Sequence, residues 1–221
     1  MSICSLSGGV MEEQYLQVVK KHTDGEQGNR GCDRLAQLFG QLVDTIEETR
    51  KDILGDLFQG AITYGEAGQF YTPETITQLM AEMTLAQAES ESGESKRVLD
   101  PCCGSGRMLL SVAERNPHWE FVGQDIDLRC VRMTAINLAL WNRYGYVIWG
   151  DSLREEQKLI YRTGFNGRGF VREVPLAESP RPETPAAAIP TEPNETKQPQ
   201  VPDAVTPTIK PTGPSKQLRF F

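Results

Sequence analysis

The segment Asp100-Pro101-Cys102-Cys103-Gly104-Ser105-Gly106 constrains the fold of this chain more than any other part of the sequence. It follows Arg97–Asp100, whose apolar residues predict a short strand, and it precedes a run that predicts a helix over Met108–Glu114. Two glycines let the backbone approach a ligand where a Cβ atom would collide. A helix that begins at such a loop also presents unpaired N–H groups to a carboxylate. The segment therefore predicts a ligand-binding loop at the end of a strand.

Two acidic residues follow the ends of later strands. Asp125 comes directly after the predicted strand Phe121–Gln124, about twenty residues past Gly104, a distance at which an acid accepts hydrogen bonds from ribose hydroxyls in nucleotide-type sites. The alternative role for Asp125 is a cap for the next helix. Asp151 follows the predicted strand Tyr146–Trp149, where it could accept a hydrogen bond from an adenine amino group or serve as a turn residue or helix cap.

The elements around these residues alternate between strand and helix. Helices are predicted over Met108–Glu114 and Asp127–Trp141, between the three predicted strands. This alternation implies a parallel sheet built from right-handed crossovers. Upstream, apolar residues recur at three- and four-residue steps from Leu35 to Phe58, which predicts helices that either form a packing layer or dock a partner subunit. We expect an α/β fold with a partial Rossmann-like sheet and an N-terminal helical layer.

Composition divides the 221 residues into three parts. Five glycines interrupt residues 1–32, which are predicted to be a flexible N-terminus, although a short helix over Glu12–Lys21 is compatible with the pattern. The ordered domain is predicted over residues 33–173, with a helical lead-in over 33–66 and an α/β part over 67–173. Eleven of the fourteen prolines lie after Val174. Residues 174–221 are therefore predicted to be a disordered, proline-rich tail.

The charge balance limits the partners of the chain. A net charge of −7 argues against a protein that coats nucleic acid by charge alone, because phosphate-driven binding needs clustered Lys and Arg. Residues 154–172 combine five basic residues with three aromatic ones, which suits local contact with nucleic acid; a solvated hairpin or loop is the alternative. The five cysteines are expected to be reduced in a cytoplasmic protein. No apolar run is long enough to span a bilayer.

Taken together, these segments resemble the modification subunit of type I restriction–modification systems, a family of adenine-specific DNA methyltransferases. Three segments carry the resemblance, in the order found in that family: Gly68-Gln69-Phe70-Tyr71-Thr72-Pro73, the glycine loop of residues 100–106, and Val122–Asp127. The preceding Asp52–Phe58 also looks like the helix that leads into the family's methylase domain.

The resemblance implies an S-adenosylmethionine-dependent methyltransferase sheet that transfers a methyl group to the exocyclic amine of a flipped adenine in DNA. It assigns S-adenosylmethionine as the cofactor and a specificity or second methylase subunit as a partner. The cofactor-binding residues that it implies are Gln69, Phe70, Tyr71, Thr72 and Pro73 on the methionine side, Asp100, Gly104, Ser105, Gly106 and Arg107 in and beside the loop, Asp125 on the ribose, and Asp151 at the adenine.

One element of the family is not found. The family uses an Asn/Asp-Pro-Pro-aromatic tetrapeptide after a fourth strand to hold the flipped base, and no Pro-Pro pair follows Asp151. Asn166 and Phe170 lie near the expected place and are candidates for a degenerate acceptor site. Because catalysis needs a positioned acceptor, three interpretations remain open. The chain is a cofactor-binding relic that regulates or scaffolds, an enzyme completed by another subunit, or an active enzyme with a degenerate site.

The end of the sequence suggests a further partner. Gln217, Leu218, Phe220 and Phe221 form an apolar cluster after the proline-rich stretch. They resemble the short peptide by which bacterial replication and repair proteins dock into the sliding clamp. The alternatives are an incidental apolar terminus or one that folds back on the domain. A clamp-docking tail would raise the local concentration of the domain beside DNA and make the chain an adaptor.

Overall fold

The computed structural model of the chain describes residues 1–61, 72, 74–88, 96–165, 168–180 and 217–219. The helices are α1 (Ser2–Ser5), α2 (Glu12–Lys20), α3 (Gly31–Thr49), α4 (Ile53–Ala61), α5 (Glu74–Ala88), α6 (Arg107–Arg115) and α7 (Leu128–Leu140). The strands are β1 (Arg97–Asp100), β2 (Glu120–Asp125), β3 (Gly145–Trp149), β4 (Leu159–Phe165), β5 (Arg168–Val174) and β6 (Gln217–Arg219). A 3₁₀ turn covers Leu176–Glu178.

The six strands form one sheet in the order β5-β4-β3-β2-β1-β6. Strands β1, β2 and β3 are parallel and are joined by α6 and α7. The predicted α/β fold with a parallel sheet is thus confirmed. Strand β6 runs parallel to β1, whereas β4 and β5 form an antiparallel hairpin beside β3.

The main hydrophobic core lies between the sheet and the helices α6 and α7. Its completely buried members include Val98, Leu109, Phe121, Val131, Leu138 and Val147. Neighbouring strand residues contribute to a second, smaller cluster made of Val122, Ile148, Ile160 and Val174. Successive strand residues point to opposite faces of a sheet. The apolar pair Phe121 and Val122 therefore shows why β2 is a central strand that is buried on both faces.

The N-terminal helices form a layer on the core. Helices α3 and α4 both contact α7, and Ile46 of α3 is buried. Of the two alternatives predicted for the helices between Leu35 and Phe58, the structure therefore shows the packing layer. The flexible N-terminus predicted for residues 1–32 differs from the structure, which has α1 and α2 there, with Ile3 and Met11 buried in the core cluster. The Leu6 carbonyl also accepts a hydrogen bond from the Val171 amide at 3.0 Å, so this segment packs against β5.

The β4–β5 hairpin occupies the segment for which nucleic-acid contact or a solvated loop was predicted. Tyr161 and Val171 are buried in the core cluster, so the hairpin is part of the core and is not merely solvated. The register shifts between Thr163 and Phe165 at Gly164, whose φ is +67°. A Cβ atom at Gly164 would overlap the Arg143 carbonyl, so only glycine fits this bulge.

Parts of the tail predicted to be disordered have regular structure. Val174 pairs with Ile160 and is buried, and the 3₁₀ turn follows it. Gln217–Arg219 forms β6, because the edge of β1 offers unpaired backbone groups to a short segment. The predicted clamp-docking peptide is corrected accordingly: Gln217 and Leu218 belong to the sheet, and Phe220 and Phe221 lie outside the described residues. No helix within the described ranges is long and apolar enough to cross a membrane.

The core predicts a stability difference between two leucines. Leu138 of α7 is completely buried, whereas Leu38 of α3 is 60% exposed. We expect Leu138→Ala to lower the free energy of unfolding by about 2–5 kcal/mol, because it removes buried methyl groups and leaves a cavity. Leu38→Ala is the control and should change it by less than about 1 kcal/mol. Urea denaturation followed by tryptophan fluorescence measures both. Equal losses would contradict the assignment of α7 to the core.

Candidate functional site

A cavity of about 490 Å³ opens at the carboxyl ends of β1, β2 and β3. This is the edge of a parallel sheet where α/β proteins bind their ligands. The residues that line it include Thr72, Thr77, Asp100, Cys102, Cys103, Gly104, Ser105, Arg107, Asp125, Ile126, Asp151, Ser152 and Leu153. The structure thus brings together residues from five separated segments, and seven of them are residues predicted to bind the cofactor.

The loop between β1 and α6 lies directly on α7. Gly104 and Gly106 have φ values of +56° and +87°, a region that favours glycine. The Thr134 hydroxyl of α7 donates a hydrogen bond to the Gly104 carbonyl at 2.9 Å. A Cβ atom at Gly106 would lie 2.9 Å from Cγ2 of Thr134. Glycine at position 106 therefore lets the loop approach α7, a role that was not predicted, and Gly106 is not among the residues that line the cavity.

Asp125 organises the loop and also faces the cavity. Its Oδ2 accepts a hydrogen bond from the Gly104 amide at 2.9 Å, and its Oδ1 accepts one from the Asp127 amide at 2.8 Å. Burial raises the pKa of Asp125, while these amide bonds oppose the shift. The capping role belongs to Asp127 instead, which accepts from the Arg129 amide at the start of α7. A carboxylate has about four acceptor positions, so Asp125 keeps capacity for a ligand.

Asp100 is the most deeply buried carboxyl group of the cavity. It is 4% exposed, and its Oδ1 accepts a hydrogen bond from the Cys102 amide at 3.1 Å. Burial raises the pKa of Asp100 to about 6, and the negative charge of Asp125 adds to the shift. A carboxyl group with a raised pKa in a cleft is typical of a functional site.

The third carboxylate lies on the far side of the cavity. Asp151 Oδ1 accepts hydrogen bonds from the amides of Leu153 and Arg154, which makes it a turn residue as well as a wall residue. The side chains of Ile126 and Leu153 at this wall are 66% and 94% exposed. Neither residue was predicted as a site residue, although an apolar residue directly after the strand-ending Asp125 was a usable signal.

The other predicted site residues divide into those outside the described residues and those that the structure places. Gln69, Phe70, Tyr71 and Pro73 lie outside the described residues, and so does Asn166. Thr72 lines the cavity together with Thr77 of α5. Phe170 lies on β5 at the opposite edge of the sheet from β6, with its ring against Gly8, where an added Cβ atom would lie 3.2 Å from the ring. This placement corrects the candidate acceptor-site role of Phe170, because its ring lies against the N-terminal segment and Phe170 does not line the cavity.

The charged groups of the cavity favour a cationic ligand. Asp100, Asp125 and Asp151 contribute carboxylates, and Arg107 contributes a guanidinium. Arg107 is already engaged, because it donates to Asp52 at 3.2 Å and to Asp56 at 2.5 Å. A pyrophosphate ligand would meet three carboxylates, whereas a ligand with a positive charge and several hydroxyl groups would find acceptors for both.

Comparisons with known proteins find one family model and several relatives. A family model described as N-6 DNA Methylase matches residues 49–165, more than half of the chain. The chain is similar to the type I restriction enzyme MjaVIII methylase subunit of Methanocaldococcus jannaschii, with 31% identity over 58% of this chain and 22% of that protein. It is 30% identical to the type I restriction enzyme EcoEI methylase subunit of Escherichia coli, over 34% of this chain and 15% of that one.

A solved structure is also similar. It is a type I restriction-modification system methyltransferase subunit from Streptococcus thermophilus, with 26% identity and a TM-score of 0.39 over 48% of this chain and 24% of that chain. The chain spans about a fifth of the length of the archaeal relative.

The contact between Gly106 and Thr134 generates a prediction. Gly106→Ala should lower the free energy of unfolding by about 2 kcal/mol, because an L-residue resists this backbone region and the new methyl group meets Thr134. Thr134→Ser keeps the hydroxyl but removes the methyl group. Gly106→Ala should therefore lower the stability of the Thr134→Ser variant by less than it lowers the stability of the wild type. Thermal denaturation of the four proteins measures both differences. The same loss in both backgrounds would contradict the close contact.

The raised pKa of Asp100 should make the stability of the protein depend on pH. Because it is raised from 3.8 to about 6 in the folded protein, the folded state binds the proton more tightly than the unfolded state. Asp100 thus contributes stability at low pH that is lost as the pH rises through about 6. From about pH 4 to about pH 7, the free energy of unfolding should fall by roughly 2 kcal/mol more in the wild type than in Asp100→Asn. If the difference in free energy of unfolding between the wild type and Asp100→Asn is the same at these two pH values, the raised pKa of Asp100 is contradicted.

Proposed function

Because the chain belongs to the N-6 DNA methylase family, whose cofactor is S-adenosylmethionine, we propose that it forms the cofactor-binding part of a methyltransferase that modifies adenine in DNA. Its function is methyltransferase-like, and the adaptor alternative is not favoured. The cavity at the ends of β1, β2 and β3 is the proposed cofactor site. The observation that carries the proposal is the set of three carboxylates on its walls.

The walls fit this cofactor in charge and in size. S-adenosylmethionine carries a sulfonium and an ammonium group, and it supplies an electrophilic methyl group when it is bound. The volume of about 490 Å³ lies within the range typical of small-molecule sites. The carboxylates of Asp100 and Asp125 match positive charge and hydroxyl donors. The residues present therefore fit the cofactor better than they fit a nucleoside diphosphate.

Each wall would hold a different part of the cofactor. We assign the ribose hydroxyls to Asp125, which lines the cavity and keeps capacity for further hydrogen bonds. Thr72 and Asp100 are assigned to the methionine end. The adenine ring is assigned to Ile126 and Leu153, because exposed apolar side chains at a cavity wall gain from covering a flat ring. Asp151 is the proposed acceptor for the adenine amino group.

The acceptor base is proposed to approach from the side of β6. Strand β1 lies between β2 and β6, and all three strands are parallel, so the strand order reverses at β1. In open α/β sheets this point forms the binding crevice. No Pro-Pro pair follows Asp151 in the sequence. We therefore propose that the contacts to the flipped base come from a segment or a subunit beyond the residues described here, consistent with relatives that are methylase subunits of restriction enzymes.

Calorimetric titration of the purified protein with S-adenosylmethionine tests the proposal. We expect binding with a dissociation constant of about 1–100 μM, and Asp125→Ala should weaken it by about tenfold or more, because a charged acceptor is lost. Asp127→Ala is the matched control, since its carboxylate caps α7 and pairs with Arg129. It should retain binding within about threefold.

ATP and NAD serve as competing ligands in the same experiment. The three carboxylates should exclude both, because their phosphates carry negative charge. Binding of ATP or NAD without binding of S-adenosylmethionine would overturn the proposal. Equal losses in Asp125→Ala and Asp127→Ala would remove the ribose role of Asp125.

A further inference from the structure

A further buried carboxylate, that of Asp52, contacts the cofactor loop but does not line the cavity. Asp52 precedes α4 and is 7% exposed. Its Oδ1 accepts hydrogen bonds from the Gly55 amide at 2.8 Å and from Nδ2 of Asn137 at 2.7 Å. Its Oδ2 accepts from the Ser105 hydroxyl and from Nε of Arg107, the latter at 3.2 Å. Four donors therefore occupy the acceptor positions of one buried carboxylate.

These donors belong to three elements that are far apart in the sequence. Gly55 lies in the first turn of α4, Asn137 lies in α7, and Ser105 and Arg107 flank Gly106 at the end of the cofactor loop. Asn137 also donates to the Ser105 carbonyl at 2.8 Å, so it bridges the carboxylate and the loop backbone. The side chain of Asp52 thus joins α4, α7 and the loop at one point.

The close approach of α4 is built into the sequence at Gly55. A Cβ atom there would overlap Oδ2 of Asp52 and would lie 2.5 Å from the Ser105 hydroxyl. Only glycine therefore lets α4 reach the loop. Asp52 and Asn137 do not line the cavity, whereas Ser105 and Arg107 do. Any effect of Asp52 or Asn137 on ligand binding must then pass through the loop.

We propose that Asp52 is a positioning residue for the cofactor loop, and that α4 is consequently an integral part of the cofactor site. The carboxylate fixes the two residues on either side of Gly106 before the ligand arrives. A loop held in its binding geometry loses less conformational freedom on binding, which raises affinity. The proposal rests on the proposed function for its binding measurement, but the order of the loop can be measured without any ligand.

Asp52→Asn is the principal test because it keeps the shape of the side chain while removing charge and one acceptor oxygen. We expect the dissociation constant for S-adenosylmethionine to rise by about tenfold. Hydrogen exchange of backbone amides in a peptide covering residues 100–110 should become faster in the ligand-free variant. Amides of β2 and β3 should retain their exchange rates.

Asp33→Asn is the matched control. Asp33 also receives four hydrogen bonds, one each from the amides of Gly28 and Arg30 and two from the Arg30 guanidinium, at the start of α3. It is not a wall residue of the cavity. Asp33→Asn should lower the melting temperature but leave both the dissociation constant and the exchange of residues 100–110 unchanged.

Asn137→Ala provides a second variant in case Asp52→Asn does not fold. It removes the bridge between Asp52 and the Ser105 carbonyl, so it should change affinity and loop exchange in the same direction. The proposal is overturned if neither variant speeds loop exchange, or if Asp33→Asn speeds it equally. If the wild type fails to bind S-adenosylmethionine, the proposed function fails, while the exchange measurement still decides the positioning role.

Discussion

The contact between the cofactor loop and α7 determines the geometry of the whole site. The loop backbone touches α7 at Gly106, and Thr134 and Asn137 hydrogen-bond its carbonyls. Val131 and Leu138, about one turn before and one turn after Thr134 in the same helix, are completely buried in the core. Because α7 serves the core and the loop at once, packing defects in the core are transmitted to the position of the loop.

The acidic walls carry a cost that a bound ligand can offset. Asp100 is buried and has a raised pKa, which means that folding alone disfavours its charge. A protein selected only for stability would replace it by a neutral residue of the same shape. Its presence beside Asp125 accords with the proposed ligand, which carries positive charge. The buried Asp52 differs, because four donors within the protein already compensate its charge.

The sequence predicted the parallel part of the fold because periodicity and loop chemistry are local signals. The strands around Val98, Phe121 and Val147, the glycine loop and the acid after β2 were all identified in this way. The close approach of Gly106 to α7 was not predicted, since Thr134 lies in a helix that only the tertiary fold brings near. Asp52 was seen only as part of a family-like helix, because the partners that join it to the loop and to α7 are separated from it by more than fifty residues.

The C-terminal half of the sheet was harder to predict for another physical reason. Strands β4 and β5 mix charged and apolar residues, so composition alone left open whether this hairpin was packed or solvated. Strand β6 follows a proline-rich stretch, and a low density of apolar residues argued for disorder. Its pairing depends on a free edge of β1 rather than on its own composition, and no local pattern reveals a partner of that kind.

The pairing of Arg97 with Gln217 has a consequence for the order of folding. Strands β1, β2 and β3 are connected by single helices, so their contacts close short chain loops and form early. The contact between β1 and β6 closes a loop that includes all the intervening elements, and its entropic cost is correspondingly greater. By this argument β6 is the last strand to join the sheet. Until it does, a nascent chain presents the bare edge of β1 to any other extended polypeptide, so chaperone occupancy during synthesis should concentrate there.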